Sequence, residues 1–215
     1  MIELKVSFIG NRSENLDAIV SIDIDHEKKS VLLIDGYDSK CTEISKLIDS
    51  VSSEKLSDVK TAKDIVKQLS SESEVRASIL CLLKTAEGIS IYSAGDCRAY
   101  NSEGLLLTKD DSNAWKDLEQ KGLTPEKIQM FVLKHPGRRV LTNSLKFPNP
   151  HYDGQELYLP RTELHETFLL CTDGFWEHFK QETAKSIIDR ALHIEEYIES
   201  IKGISENSSA CLLKA

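Results

Sequence analysis

Residues 77–96 read ASILCLLKTAEGISIYSAGD. Two apolar blocks, Ile79–Leu83 and Ile89–Ala94, flank Ala86-Glu87-Gly88. Gly88 supplies the backbone freedom that a tight hairpin turn needs. The segment therefore predicts two paired strands, and it closes on Gly95-Asp96, a carboxylate set at a strand end. Working outward, short apolar blocks with turn chemistry between them predict strands over Leu4–Ile9, Ala18–Asp23, Ser30–Ile34, Ala77–Thr85, Ile89–Ala94, Ala99–Asn101, Leu105–Leu107, Glu156–Leu159, Glu166–Cys171 and Ala210–Lys214. A second hairpin is expected where Ala99–Tyr100 and Leu105–Leu107 flank Asn101-Ser102-Glu103-Gly104.

Helical spacing appears between these blocks. Ile44, Leu47, Ile48 and Val51 follow i, i+3, i+4, i+7, as do Ala62, Ile65, Val66 and Leu69, with Thr61 and Asp64 placed as a capping box. Thr124-Pro125-Glu126 reads as a helix start. Near the C-terminus Ala184, Ile187, Ile188 and Ala191 line one face, Ile194, Tyr197, Ile198 and Ile201 another, and Gly203 is a stop. Ser52-Ser53 and Ser70–Ser73 read as polar loops. The order is strands, two helices, many strands, helices and a last strand. It is neither alternating nor all-β, and it predicts an α+β fold with sheet packed on sheet and helices outside.

The chain has 215 residues, 40% hydrophobic and 29% charged, so one domain with a full core is expected. The net charge of −8 disfavours nucleic-acid phosphates and anionic lipid as partners. No apolar run approaches the roughly 18 residues of a membrane span, and MIELKVSFIG does not read as a signal peptide. Five irregularly spaced cysteines without a CxxC argue against a zinc or redox site. Cys81, Cys171 and Cys211 sit in apolar runs as small hydrophobes, and a reducing, cytoplasmic location is expected.

The chemistry gathers at strand ends. VLLIDG sets Asp35-Gly36 after an apolar run, FLLCTDG does the same for Asp173-Gly174, and SAGDCRAY adds Asp96. One Asp-Gly is usually a turn. Three behind apolar strands suggest carboxylates that converge, and poorly solvated carboxylates need a counter-charge such as Mg²⁺ or Mn²⁺.

The chain resembles the metal-dependent Ser/Thr phosphatases of type 2C in their compact bacterial form, over most of its length and in the right order. Arg12-Ser-Glu-Asn15-Leu-Asp17 is similar to Arg-x-x-Asn-x-Asp, and Asp35-Gly36 to the start of Asp-Gly-x-Gly-Gly. Gly95-Asp96-Cys97-Arg98 resembles Gly-Asp-Ser-Arg, and Leu107-Thr108-Lys109-Asp110 resembles Leu-Thr-x-Asp. His135-Pro136 through Val140-Leu141-Thr142, Cys171-Thr172-Asp173-Gly174 and Glu206-Asn207-Ser208-Ser209 follow in sequence. The resemblance implies an α-β-β-α sandwich over 1–215 with a flap-like segment around 112–136. It implies two Mg²⁺ or Mn²⁺ ions at the sandwich end, bridged by Asp35. Asp17 and the Gly36 carbonyl would complete the first ion's protein shell, Asp173 and Glu206 would hold the second, and Asp96 would match a third, weaker site of many relatives. Arg12 would bind the phosphate. Phosphorylated proteins and an opposing Ser/Thr kinase are the implied partners.

Departures from the pattern open other readings. Tyr37-Asp38-Ser39 replaces the glycines, Arg76-Ala77-Ser78 stands where relatives carry Gly-x-Thr, Asp111 replaces a His, and Glu206 replaces an Asp. These favour a catalytically weakened pseudophosphatase acting as a binding or regulatory module. A phosphatase for small metabolites is a third reading. Arg12 has the bland reading of a surface ion pair with Glu14 or another acid, and Asp96 that of a partner for Arg98. Asp38 adds a ligand or faces solvent. His135 contacts substrate or serves as a hydrogen-bonded structural residue. Cys97 is reactive only if exposed. Trp115 and Trp176 are expected to pack. Lys116, Lys121, Lys127 and Lys134 either steer anions or form a solvated face.

Overall fold

A strand that is apolar at every position needs cover on both faces, and VLLI and ILCLL are such strands. The computed structural model describes residues 2–51, 56–161, 167–178, 181–189, 194, 197 and 206–214. In chain order they form β1 (Ile2–Phe8), β2 (Asp17–Asp23), β3 (Lys29–Tyr37), α1 (Cys41–Asp49), α2 (Ala62–Val66), β4 (Val75–Lys84), β5 (Gly88–Ala94) and β6 (Arg98–Asn101). Then follow α3 (Asn113–Gln120), α4 (Pro125–Val132), β7 (Leu145–Phe147), β8 (Gln155–Pro160), β9 (Thr167–Cys171), α5 (Asp173–Trp176), α6 (Gln181–Asp189) and β10 (Ser208–Lys214).

The strands make two antiparallel sheets. One runs β1-β10-β9-β6, the other β2-β3-β4-β5-β8, with β7 against β4. Alternation sorts each apolar run into two layers. Val31, Leu33, Leu80 and Leu82 meet Phe168, Leu170, Cys211 and Leu213 between the sheets. Leu32, Ile34, Ile79 and Cys81 point the other way, onto Leu47, Ile65 and Val66 of α1 and α2. Leu169, Cys171, Ala210 and Leu212 pack under Trp115, Ile128 and Ile187 of α3, α4 and α6. The layers are thus α-β-β-α, as the element order implies. Among the described residues no helix is long and apolar enough to cross a membrane.

The Thr61 side chain accepts the Asp64 N–H and the Asp64 carboxylate accepts the Thr61 N–H, the expected box. Pro125 opens α4 behind Thr124, whose hydroxyl makes no capping bond to the helix backbone. The second expected hairpin is present, though short. Leu105–Leu107 is not an extended strand, but it pairs antiparallel with β6 through the Tyr100–Leu106 bridge, with the Leu107 N–H donating to the Ala99 carbonyl at 2.8 Å and the Asn101 N–H to the Leu105 carbonyl at 3.0 Å. The Asn101 side chain also accepts the N–H groups of Glu103 and Leu105, so a side chain closes the turn between the two segments. Helix α3, strand β7 and the single turn α5 carry no apolar period long enough to read. Ser52-Ser53, Glu166, Ala191, Ile198, Ile201 and Gly203 lie outside the described residues.

Candidate active site

Strand register builds the site. Asp17 of β2 lies directly opposite Asp35 of β3, and Asp35 lies opposite Ser78 of β4. Directly opposed residues of antiparallel strands share a face, so the three form one row. The Ser78 hydroxyl donates to Asp96 Oδ1 at 2.7 Å, which ties the acid beyond β5 to that row. From the other sheet, β9 ends at Cys171 and α5 presents Asp173. Asp35 lies close enough to Asp173 and Asp17 for the charges of both to act on it. Thr172 Oγ1 donates to Asp17 Oδ2 at 2.9 Å. Four carboxylates from two sheets therefore meet at one end of the sandwich.

Glu206, just before β10, stands at the mouth. Arg12 hydrogen-bonds its Oε2, and Arg139 Nη1 reaches its Oε1 at 3.1 Å. A cleft of about 790 Å³ opens here, lined among others by Arg12, Asp35, Gly36, Asp96, Asp173 and Glu206. Asp17 stands behind this lining, 8% exposed.

Burial and mutual repulsion set the electrostatics. Burial, less hydrogen bonds from Thr172 and Ser209 and with the charge of Asp173 added, pushes the Asp17 carboxyl up to about 7. Burial and then the charges of Asp173, Asp17 and Asp96 drive Asp35 upward. Asp96 is raised by burial and by Asp173 and Asp110, and Asp173 chiefly by burial. Asp17 Oδ1 is buried and has no hydrogen-bond partner. Among the described residues no three acidic, imidazole or thiol groups already close around one point as ligands of a single ion. The donor set is nevertheless all hard oxygen, repels itself and leaves one oxygen orphaned, which is the chemistry that suits Mg²⁺ or Mn²⁺.

Behind the carboxylates lies a second tier. Trp176 Nε1 donates to the Asp96 carbonyl at 2.8 Å, and the Arg98 guanidinium stacks on the Trp176 ring at 3.5 Å. Gly95, at φ +108, takes a backbone conformation that suits glycine. A Cβ there would come within 2.2 Å of Ser78 Oγ, the group that holds Asp96. Gly95→Ala is expected to destabilise the fold by about 2–3 kcal/mol, from strain plus the collision. Urea unfolding checks it, and a midpoint equal to that of the parent would contradict it.

The alternatives left open by the sequence now separate. Arg12 pairs with Glu206 rather than Glu14, whose carboxylate accepts the Cys41 N–H. Asp96 does not pair with Arg98, which instead forks onto Asp110 at 2.8 and 2.7 Å. His135 is structural: Nε2 donates to Asp117 at 2.8 Å and Nδ1 accepts the Gly137 N–H. Cys97 is buried, and burial pushes its thiol upward, so the reactive reading fails. Asp38 faces solvent and pairs with Arg76 at 3.7 Å. Tyr37 hydrogen-bonds Ser144, and Asp111 accepts the Gly95 N–H. Lys121 is spent on Asp117. Sequence reasoning missed Arg139 as a partner of Glu206, although Arg138-Arg139 lies inside a stretch it quoted. It also missed Thr172 and Ser78 as hydroxyls that hold Asp17 and Asp96.

No family model matches the chain, and no curated protein matches it by sequence. Solved structures match it by shape. A bacterial serine phosphatase superposes with a TM-score of 0.76 at 16% identity, over 99% of this chain and 97% of the other. The serine/threonine phosphatase Stp1 from Staphylococcus aureus gives 0.75 at 17% identity, over 100% and 95%. The catalytic domain of the serine/threonine phosphatase PstP, solved in complex with two manganese ions, gives 0.65 at 15% identity, over 97% and 95%. The chain has the fold of these bacterial serine/threonine phosphatases, the architecture that its motifs imply.

Proposed function

We propose that the chain is a metal-dependent phosphoprotein phosphatase that hydrolyses phosphoserine and phosphothreonine. The observation that carries this is the meeting of Asp17, Asp35, Asp96 and Asp173 from two sheets behind a mouth bearing Arg12. Asp35, on which the charges of both Asp17 and Asp173 act, would serve as the shared ligand, with Asp17 and the Gly36 carbonyl on one side, Asp173 and Glu206 on the other, and Asp96 as a further donor. Two Mg²⁺ or Mn²⁺ ions bound there, with a weaker third at Asp96, would supply an acidified water and charge neutralisation at phosphorus. The neighbouring PstP structure with two manganese ions supports this reading.

The protein's own groups supply position and charge. Thr172 holds Asp17, and Ser78 holds Asp96. Arg12 offers a two-pronged grip on phosphate oxygens from an exposed position beside the acids. Burial, eased by the bond from Ser144, raises the Tyr37 phenol, so it stays protonated at neutral pH and can donate at the cleft wall. In the cell the chain would oppose a Ser/Thr kinase in the reducing cytosol, a setting supported by five free cysteines. Titration of Mn²⁺ and Mg²⁺ against p-nitrophenyl phosphate and phosphopeptides tests the reading. Hydrolysis that needs the metal and disappears with EDTA is expected; none across the titration overturns it.

One observation favours the weakened, regulatory reading: Glu206 is engaged by Arg12 and Arg139 at once. Aspartate is one methylene shorter. If the pairing detunes the site, Glu206→Asp raises turnover by about tenfold or more; unchanged or lower turnover removes this reading.

A further inference from the structure

The sheet face that bears the carboxylate row carries a second row one step along the strands. Tyr37 lies opposite Arg76, and Arg76 lies opposite Lys146 on β7. Arg76 is two residues from Ser78 and Tyr37 two from Asp35, so the rows stand about 6.6–6.8 Å apart. The intervening Val75, Ala77, Leu145 and Phe147 are buried in the layer under α1 and α2. Arg76 and Lys146 therefore project from the opposite face, into the cleft that they both line.

Two cations directly opposite on neighbouring strands repel each other. Among the described residues the one ion pair of Arg76 is the exposed contact with Asp38 at 3.7 Å, and Lys146 has none. Such an exposed pair contributes little. A protein of net charge −8 thus holds a cationic couple, relieved only by one exposed contact, at the side of its acidic centre. An anion between the two would relieve the repulsion. A peptide lying extended in the cleft repeats its side chains on one side at the same two-residue spacing as the rows. Arg76 is also a departure from the glycine of the resembling motif, so the couple belongs to this chain.

We propose that Arg76 and Lys146 form a specificity subsite for a second anionic group, a carboxylate or a second phosphate, two residues from the phosphorylated residue of the substrate. The proposal rests on the phosphatase reading and names its preferred substrate class.

The test uses one phosphoserine peptide in three forms: neutral at the position two residues away, aspartate there, or phosphothreonine there. Wild type is expected to show kcat/KM roughly five- to tenfold higher for the two acidic forms, through KM, with the advantage shrinking at high salt. The aspartate and phosphothreonine arms decide which source of anion is preferred. In Arg76→Gln/Lys146→Gln the advantage disappears while p-nitrophenyl phosphate hydrolysis is unchanged. Lys146→Glu, a milder surface change, turns the preference toward the neutral peptide. Equal kcat/KM for all three forms in wild type, or an advantage that survives the double variant, overturns the subsite. If even p-nitrophenyl phosphate is not hydrolysed, the phosphatase reading falls separately. Fluorescence anisotropy of the labelled peptides then decides: tighter binding of the acidic forms that is lost in the double variant supports the subsite, and equal binding refutes it.

Discussion

Asp35→Asn is expected to lower metal-dependent phosphate hydrolysis by about a thousandfold and, in the same protein stripped of metal, to raise the melting temperature. The two effects have one cause. Asp35 sits where Asp17, Asp96 and Asp173 all act on it, and burial and these charges push it far above the usual carboxylate range. With no cation present, its ionised form is a liability to the fold; with cations present, it would be the donor common to both sides of the proposed site. An amide keeps the shape and some of the hydrogen bonds, removes the charge and gives a far poorer metal ligand.

The pH dependence follows from the sign of the shifts. A carboxylate whose folded value lies above its unfolded value leaves the native state holding more protons than the unfolded state. Its stabilising contribution is complete below the unfolded value near 4, and it is lost as pH rises through the folded value, about 7 for Asp17. In EDTA, wild type should therefore lose stability between pH 5 and pH 8 relative to Asp35→Asn. A difference of about 2 kcal/mol moves the melting temperature by roughly 4–8 °C for a chain of this size. Thermal melts of both proteins at the two pH values measure it. An Asp35→Asn protein that melts at or below wild type at pH 8 would remove the premise of a self-repelling acidic centre.

What the sequence disclosed follows from where its information is local. Asp35-Gly36 and Asp173-Gly174 follow unbroken apolar runs, and Gly95-Asp96 follows a strand buried at every position; such strands need a sheet covered on both faces, and sheet packing then sets their ends together. Thr61 and Asp64 announce their helix because both halves of the cap lie within four residues. Helix α3 was illegible because its eight residues bury only Ala114, Trp115 and Leu118, too few to define a period. Strand β7 is three residues long and owes its existence to the edge of β4. The turn after Asn101 is legible because the Asn side chain that closes it and the Gly that ends it both lie within the turn. The pairings around the acids were beyond local reading for another reason. Arg12 with Glu206, and Thr172 with Asp17, join residues 194 and 155 apart in the chain, and nothing near either partner specifies the other.

Asp110→Ala should be the most damaging single change to stability, costing about 3–5 kcal/mol. Arg98 and Asp110 have side chains only 4% and 1% exposed and meet through two hydrogen bonds. Burial alone pulls the Arg98 guanidinium down, yet Asp110 and Tyr100 carry it upward, so Arg98 remains charged whatever the pH. Removing Asp110 strands that charge between the sheet and Trp176. The loss then reaches the candidate site, because Trp176 both stacks on Arg98 and holds the Asp96 carbonyl. Arg98→Met combined with Asp110→Leu removes both charges and should recover most of the stability, since a buried pair replaced by apolar groups of similar volume is often neutral. It should not recover the placement of Asp96, which depends on a Trp176 ring clamped by the guanidinium. Urea unfolding of the two single variants and the double variant measures the coupling, and the metal dependence of hydrolysis reports on Asp96. A cost below about 1 kcal/mol for Asp110→Ala would mean that water reaches the pair, which would contradict the sealed second tier behind the acids.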